Sequence, residues 1–422
     1  YGGGNISVFY LINYLFNNAS DFEVTYELEP NTLIYIVIDP FKDNAFKKYS
    51  LQDIVHYKGS NGGNIVIRVN DCDKTREISD IERSREHQIG KYFSHIDYFV
   101  FNSEFIKNYY FEKFQEKELK MQDNYTVIIN GCDQRIFKNS SPNKEINNKI
   151  KLVTHHWSSN MNKGYQLYYD LWKFSKTHSV DFEFTFIGKN VPSMFTEVPI
   201  VGPYVTHELS QELNKHHIYI SDSRYDSCPN HILEAISCGL PLLVSNYEGG
   251  ARELCKMAPY KIGEIFYSYS DLFKKMKKIQ DNYAFYRENI QKSLQSYAID
   301  NSITKYYNVF LEFQYKTSKT VKLKYNNTYC LVDSQTNDGY VVLSDNKTFK
   351  LVKGHNVFLL NKQTHQSLTL HNFEGKTTMS HFQEKKAYNN KINVLFCSDA
   401  NYFVGLFASL NSVIENTEYV HK

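Results

Sequence analysis

The sequence predicts an α/β protein of two Rossmann-like, doubly wound domains facing a cleft, and three observations predict it. Helical and apolar-strand runs alternate along most of the chain, the order that a parallel sheet with crossover helices produces. A polar stretch from Pro142 to Asn148, crowded with Asn and Lys, divides that alternation into two series. A length of 422 residues exceeds what one small core accommodates, so two or three domains are expected.

The elements follow in order. Apolar residues recur at helical spacing from Ile6 to Phe16, directly after Gly2-Gly3-Gly4. In α/β folds such a glycine loop follows a strand, so the first domain, 1–141, is expected to lack a first strand. Thr32–Ile38, Asn64–Val69, Tyr98–Phe101 and Thr126–Ile129 read as further strands, with a helix around Glu104–Lys120. The second domain, 149–314, opens at Lys151-Leu-Val-Thr-His-His. Phe182–Ile187, Ile218–Ile220 and Leu240–Val244 are its later strands, and a helical tail runs from about Ala284 to Gln314. Residues 315–390 read as a small β-rich connector, with short runs at Thr320–Tyr329, Gly339–Ser344 and Asn356–Leu360. Residues 391–422 read as the truncated start of another α/β domain: a strand from Ile392 ending at Asp399, then a helix carrying Ser409 and Ser412.

Bulk composition excludes several classes. Hydrophobic content of 42% and charged content of 22% are ordinary for a globular chain. A net charge of +2 gives no reason to expect nucleic acid or an anionic membrane as a partner. The run Lys274-Lys275-Met276-Lys277-Lys278 reads as a solvated helix face. Abundant Tyr and Phe beside many Asn, Lys and Ile reflect the codon usage of an AT-rich genome rather than a binding code. Seven Cys are scattered with no Cys-x-x-Cys pair, which supports neither a zinc site nor a disulfide framework and suits a reduced, cytoplasmic compartment. No apolar run approaches the roughly 20 residues of a membrane span. Asn-x-Ser/Thr triplets at Asn18, Asn124 and Asn346 are what an Asn-rich chain yields by chance.

The chemistry concentrates in Asp226-Ser-Cys228-Pro229-Asn230-His231-Ile-Leu-Glu234-Ala-Ile-Ser-Cys-Gly239-Leu-Pro-Leu-Leu-Val-Ser-Asn246. Pro229 sits at a helix start, where its missing N–H costs least, and Gly239 closes the helix. A helix start with free N–H groups is an anion site. Carboxylates flanking it suit sugar hydroxyls, so the segment fits a pocket for a phosphate-bearing, hydroxyl-rich ligand. An ordinary amphipathic helix followed by a strand fits the same residues. The second segment is His155-His156-Trp157-Ser158-Ser159-Asn160-Met161-Asn162-Lys163-Gly164, directly off a strand. Lys163-Gly164 is either a helix-start turn or a compact ammonium placed to meet a diphosphate. His155, His156 and His231 have no metal-ligand spacing.

The first segment resembles the donor-site signature of the retaining glycosyltransferases with the two-domain GT-B fold, family 4 in particular. Their Glu-x7-Glu has Asp226 and Glu234 at its two positions, and Gly249-Gly250-Ala-Arg-Glu253 matches the Gly-Gly-x-x-Glu that follows. Lys163-Gly164 matches the family's Lys-Gly, with Ser158 where the family has an Arg. Asn130-Gly131-Cys-Asp133-Gln-Arg-Ile-Phe137 matches the motif at the end of its first domain, where Asn-Gly is equally a turn. The resemblance implies a GT-B fold whose helical tail crosses back to the first domain. It implies a nucleotide-diphosphate sugar as donor substrate, with no cofactor, no metal and an unidentified acceptor. The donor-binding residues would be Gly3, Gly4, Ser158, Lys163, Gly164, Gly188, Asp226, Cys228, Pro229, Asn230, His231 and Glu234. The catalytic ones would be Lys163, Asp226, Asn70 and Asp71. Asn70 stands where the family has a His near the reacting sugar. Asp71-x-Asp73 looks like the metal-binding Asp-x-Asp of GT-A enzymes, but in a GT-B context that uses no metal. The stretch from Ile392 through Asp399 and Tyr402 to Ser412 resembles the opening of a family 8, GT-A glycosyltransferase, where the Asp and Tyr lie against the base. The working expectation is a retaining hexosyl transfer. A non-catalytic nucleotide-sugar or glycan binder and a GT-B nucleotide-sugar epimerase are the alternatives.

Overall fold

The structure is a computed structural model that describes residues 3–18, 22–42, 48–114, 124–142, 144–146 and 148–317, and beyond them only strands between 320 and 395. The first sheet contains β1 (Glu23–Thr25), β2 (Thr32–Val37), β3 (Asn64–Val69), β4 (Tyr98–Phe101) and β5 (Tyr125–Val127). Its helices are α1 (Gly3–Asn18), α2 (Leu51–Asn61), the single turn α3 (Asp73–Arg76), α4 (Arg85–Lys91) and α5 (Glu104–Lys113). Ser50 and Asp53 form a reciprocal capping box that starts α2. Both faces of the sheet are covered, which is why all of β2 is buried and reads as a continuous apolar run.

The second sheet has the order β11–β10–β9–β6–β7–β8, all parallel. These are β6 (Ile150–His156), β7 (Phe182–Gly188), β8 (Ile200–Val201), β9 (Ile218–Ser221), β10 (Leu242–Ser245) and β11 (Gly263–Phe266). Between and after them run α6 (Tyr165–Thr177), α7 (Thr206–Leu213), α8 (Asn230–Ser237), α9 (Gly250–Met257), α10 (Tyr269–Asp281) and α11 (Tyr283–Ser293). The last long helix, α12 (Ile299–Thr317), leaves this unit and packs Ile303, Tyr306 and Phe310 with Val8, Leu11 and Ile12 of α1 over the first sheet.

Four sequence expectations differ from the structure. Among the described residues helix α1 begins at Gly3, so Gly3 and Gly4 lie in its first turn rather than in a loop before it. Helix α5 ends at Lys113, and 115–123 lie outside the described residues. Thr320–Tyr329 divides into β12 (Thr320–Tyr325) and β13 (Thr328–Asp333), paired antiparallel. They open a six-stranded antiparallel sheet with β14 (Gly339–Val342), β15 (Thr348–Val352), β16 (Val357–Asn361) and β17 (Ser367–Leu370). Finally, β18 (Lys391–Leu395) opens no sheet of its own but lies parallel between β1 and β2 in the first sheet. Asp399, Tyr402, Ser409 and Ser412 lie outside the described residues.

The two sheets are joined at Asn130-Gly131-Cys132. Cys132 N–H donates to the Tyr297 carbonyl at 2.8 Å, and Ile299 N–H donates to the Cys132 carbonyl at 2.9 Å. Gly131 holds φ +71°, and a Cβ there would lie 2.7 Å from the Ile299 Cα. Gly131→Ala is therefore expected to cost about 2–3 kcal/mol in urea unfolding. Gly59→Ala, in α2 with nothing within 4 Å of the added methyl, is expected to gain about 0.5–1 kcal/mol in the same measurement.

Candidate active site at the domain junction

The carboxyl ends of both parallel sheets meet, so the loops leaving β3, β4, β6 and β9 touch one another. Ser227 Oγ donates to the Asn70 carbonyl and accepts from Asn102 Nδ2 at 2.9 Å. Thr75 Oγ1 donates to the Tyr225 carbonyl at 2.6 Å, and Asn160 Nδ2 to the Thr75 carbonyl at 2.9 Å. Glu253 reaches across as well: its two carboxylate oxygens accept from the N–H groups of Glu104 and Phe105, each at 2.8 Å, at the start of α5. Burial raises its pKa, which those two donors partly offset.

At the centre, Lys163 Nζ is ion-paired with Asp226. Gly164 follows in the left-handed region at φ +91°, where a Cβ would press 2.5 Å from the Asp222 Cβ, so the turn carrying Lys163 rests on the end of β9. Arg224 N–H fixes that turn from the other side, donating to the Asn162 carbonyl at 2.7 Å. Tyr225, next to Asp226, holds φ +56°, uncommon for a bulky residue. Ser158 lies on the same loop, its Oγ accepting from Asn160 N–H at 3.2 Å and its carbonyl from Tyr165.

The helix start beyond Asp226 is held from the first domain. Pro229 is the N-cap of α8. Asn130 Nδ2 donates to the Cys228 carbonyl at 2.9 Å and to Asn230 Oδ1 at 2.7 Å, and Asn130 N–H lies 3.4 Å from Cys228 Sγ. Burial pushes the Cys228 thiol up to about 12, so it is a neutral packing group. One turn on, Glu234 Oε2 is 2.7 Å from His155 Nε2. His231 faces inward, with Nδ1 3.1 Å from Tyr219 Oη and Nε2 3.2 Å from Ser223 Oγ, so neither ring nitrogen is left for a ligand. Gly188 ends β7 opposite His156. Gly3 and Gly4 begin the helix whose Ser7 donates to the Asn130 carbonyl at 3.0 Å.

Asn70 contributes its carbonyl to the junction, while Asp71 is buried, accepts from Cys72 N–H at 3.0 Å and is ion-paired with Arg76. Asp73 accepts from Arg85 N–H at 2.9 Å and from Ser84. Both carboxylates of Asp71-x-Asp73 are thus engaged in shaping their own loop, and among the described residues no three His, Cys, Asp or Glu side chains are grouped to hold a metal.

Sequence reasoning missed Arg68. It is buried on β3, donates Nη2 to Asn130 Oδ1 and Nε to Tyr306 Oη at 2.9 Å, and has no carboxylate partner among the described residues. Its Nη1 has no partner either. A charged residue inside an otherwise apolar β3 run was the signal available.

Residues 152–271 match the family model for glycosyl transferases group 1. No curated protein matches the chain in sequence. Among solved structures, sucrose-phosphate synthase from Thermosynechococcus elongatus is similar at 12% identity and TM-score 0.52, over 74% of this chain and 94% of that one. Two others have lower TM-scores. The pneumococcal O-GlcNAc transferase GtfA, in complex with UDP and GlcNAc, gives 15% identity and TM-score 0.46 over 64% of this chain. Anabaena HepE in complex with UDP gives 13% and 0.48, over 62% of this chain and 76% of its own. The chain spans 56% of the length of the pneumococcal protein. The fold is that of the GT-B glycosyltransferases. Within it the chain carries a group 1 glycosyltransferase domain, which holds Lys163, Asp226 and Glu234.

Asp222, buried beneath Gly164, gives a pH test of this architecture. Burial raises its pKa from 3.8 to about 6, against the lowering effect of Arg224 and Ser245. The folded chain then keeps a proton that the unfolded chain has released. That contribution is complete below about pH 3.8 and is lost as the pH rises through about 6. Asp222→Asn is expected to remove a fall of up to about 3 kcal/mol over this window, read as unfolding midpoint against pH.

Proposed function

We propose that this chain transfers a hexosyl group from a nucleotide-diphosphate sugar to an acceptor, with retention of configuration and without a metal, as a GT-B enzyme of family 4. The observation that carries the reading is the meeting of Lys163 and Asp226 beside the start of α8, where the carboxyl ends of two parallel sheets face each other. In this reading 149–314 binds the donor and 1–141 the acceptor, inside the cell. Lys163 leaves Asp226 to meet the departing diphosphate, helped by the positive end of α8. Asp226 then holds sugar hydroxyls, and Glu234 takes the ribose. The leaving phosphate serves as the base, so no protein base is required. Contacts such as Ser227–Asn70 and Thr75–Tyr225 keep water from the junction.

The test is incubation of the full chain with a panel of uridine, guanosine and adenosine diphosphate sugars, following nucleotide release. Turnover is expected with one of them, and Lys163→Ala is expected to lower it by about 100-fold or more. Unchanged turnover in that variant overturns the role of Lys163. Tight binding without turnover favours a non-catalytic binder, and interconverted sugars favour an epimerase.

A further inference from the structure

Behind Glu234 lies a line of buried polar groups that the proposed reaction does not use. His155 is 1% exposed, Tyr219 0% and Ser223 3%, with His231 among them at 8%. Glu234 Oε2 is 2.7 Å from His155 Nε2. His155 Nδ1 is 3.1 Å from Tyr219 Oη, Tyr219 Oη is 3.1 Å from His231 Nδ1, and His231 Nε2 is 3.2 Å from Ser223 Oγ. The backbone N–H of His155 also donates to Tyr219 Oη, at 3.1 Å.

With His155 taken as neutral, proton counting gives this line one direction. A carboxylate accepts only, so His155 Nε2 carries a hydrogen and donates to Glu234. A neutral His155 then needs a donor at Nδ1, and the one hydroxyl hydrogen of Tyr219 supplies it. Tyr219 Oη is left as an acceptor for His155 N–H and for His231 Nδ1–H. His231 Nε2 finally accepts the hydrogen of Ser223. In this direction both imidazoles are neutral. The reverse direction requires a second proton on His155, which the spectra described below distinguish. A one-way line of donors polarises its members in sequence and ends by strengthening the bond to Glu234.

We infer that His155 and Tyr219 are positioning residues that pin Glu234 Oε2, leaving Oε1 free to accept from a vicinal diol of the donor's ribose. The inference rests on Glu234 holding the ribose, as proposed above. Oε1 has no hydrogen-bond partner among the described residues, whereas Oε2 meets His155. Glu234 stands in the first turns of α8 with the relay behind it, so its rotamer is set before a donor arrives. The donor therefore meets an acceptor already oriented, which favours ribose over a sugar lacking the diol.

Two measurements test this, one of which needs no activity. Nitrogen-15 spectra of histidine-labelled full-length protein are expected to show His155 as the neutral Nε2–H tautomer and His231 as the neutral Nδ1–H tautomer. Tyr219→Phe is expected to shift both signals. In turnover assays Tyr219→Phe is expected to raise KM for the nucleotide sugar about tenfold with kcat within about twofold, the size of one charge-assisted hydrogen bond. The 2′-deoxy donor, which keeps only one of the two hydroxyls, is expected to show a smaller rise in KM on Tyr219→Phe. Ser223→Ala, at the far end, is expected to move KM the same way by less, which covers the case in which Tyr219→Phe misfolds. An imidazolium at His155, the opposite tautomers, or equal KM in both variants overturns the inference. Wild-type protein that neither binds nor turns over any nucleotide sugar overturns the proposed function instead, whatever the spectra show.

Discussion

The arrangement of this molecule depends on one buried amide. Asn130 ends the first parallel sheet with every polar group engaged: its carbonyl by Ser7, its Oδ1 by Arg68, its Nδ2 by the Cys228 carbonyl and Asn230. The next residue, Gly131, allows α12 to press against the same turn. One turn therefore ties together the first sheet, the returning helix and the start of α8. A fully satisfied polar network in a low-dielectric setting specifies one geometry, because any displacement leaves a buried group unpaired. Here the group with most to lose is Arg68, a buried cation whose charge is balanced by no carboxylate among the described residues.

This explains which parts of the protein were legible in its sequence. The strands β2 and β10 are buried along their whole length and read as uninterrupted apolar runs. The turn at Asn130-Gly131 and the helix stop at Gly239 declare themselves through residue type. The pairing of Lys163 with Asp226 was legible only as two motifs, because 63 positions separate them. Long-range caps were not legible at all. Glu253 closes the N-terminus of a helix 149 positions earlier, and its own neighbourhood carries no trace of that task. The family resemblance placed His231 among the donor-binding residues, yet helix geometry turns it inward toward Tyr219.

The placement of β18 follows the same logic. A strand such as β2, buried on both faces, has hydrogen-bonding edges on both sides that cannot face water. One edge is met by β3, and the other is met by Lys391–Leu395 in parallel register. The sequence Lys-Ile-Asn-Val-Leu states that it is a strand; it does not state which sheet will take it. That choice depends on which edge is open to it, a property of β2 and not of the strand that pairs there.

The two carboxylates of the donor signature sit in physically different environments, and the difference suits different tasks. The Lys163–Asp226 pair is partly exposed, with side chains 24% and 17% accessible, so water and counterions screen it. Such pairs contribute about 0–1 kcal/mol, little enough for an incoming diphosphate to displace. The Glu234–His155 contact has a ring that is 1% exposed and a relay of hydroxyl and imidazole groups behind it. Breaking it would strand buried donors, so it persists while ligands come and go. The shortened side chain at Asp226 fits this division. In the proposed reaction Asp226 releases its cation and turns to a sugar, which a short arm beside a strained residue, Tyr225, suits better than the locked setting of Glu234. One end of the signature is thereby exchangeable and the other fixed, which is what a site needs if it is to hold a nucleotide still while the sugar attached to it departs.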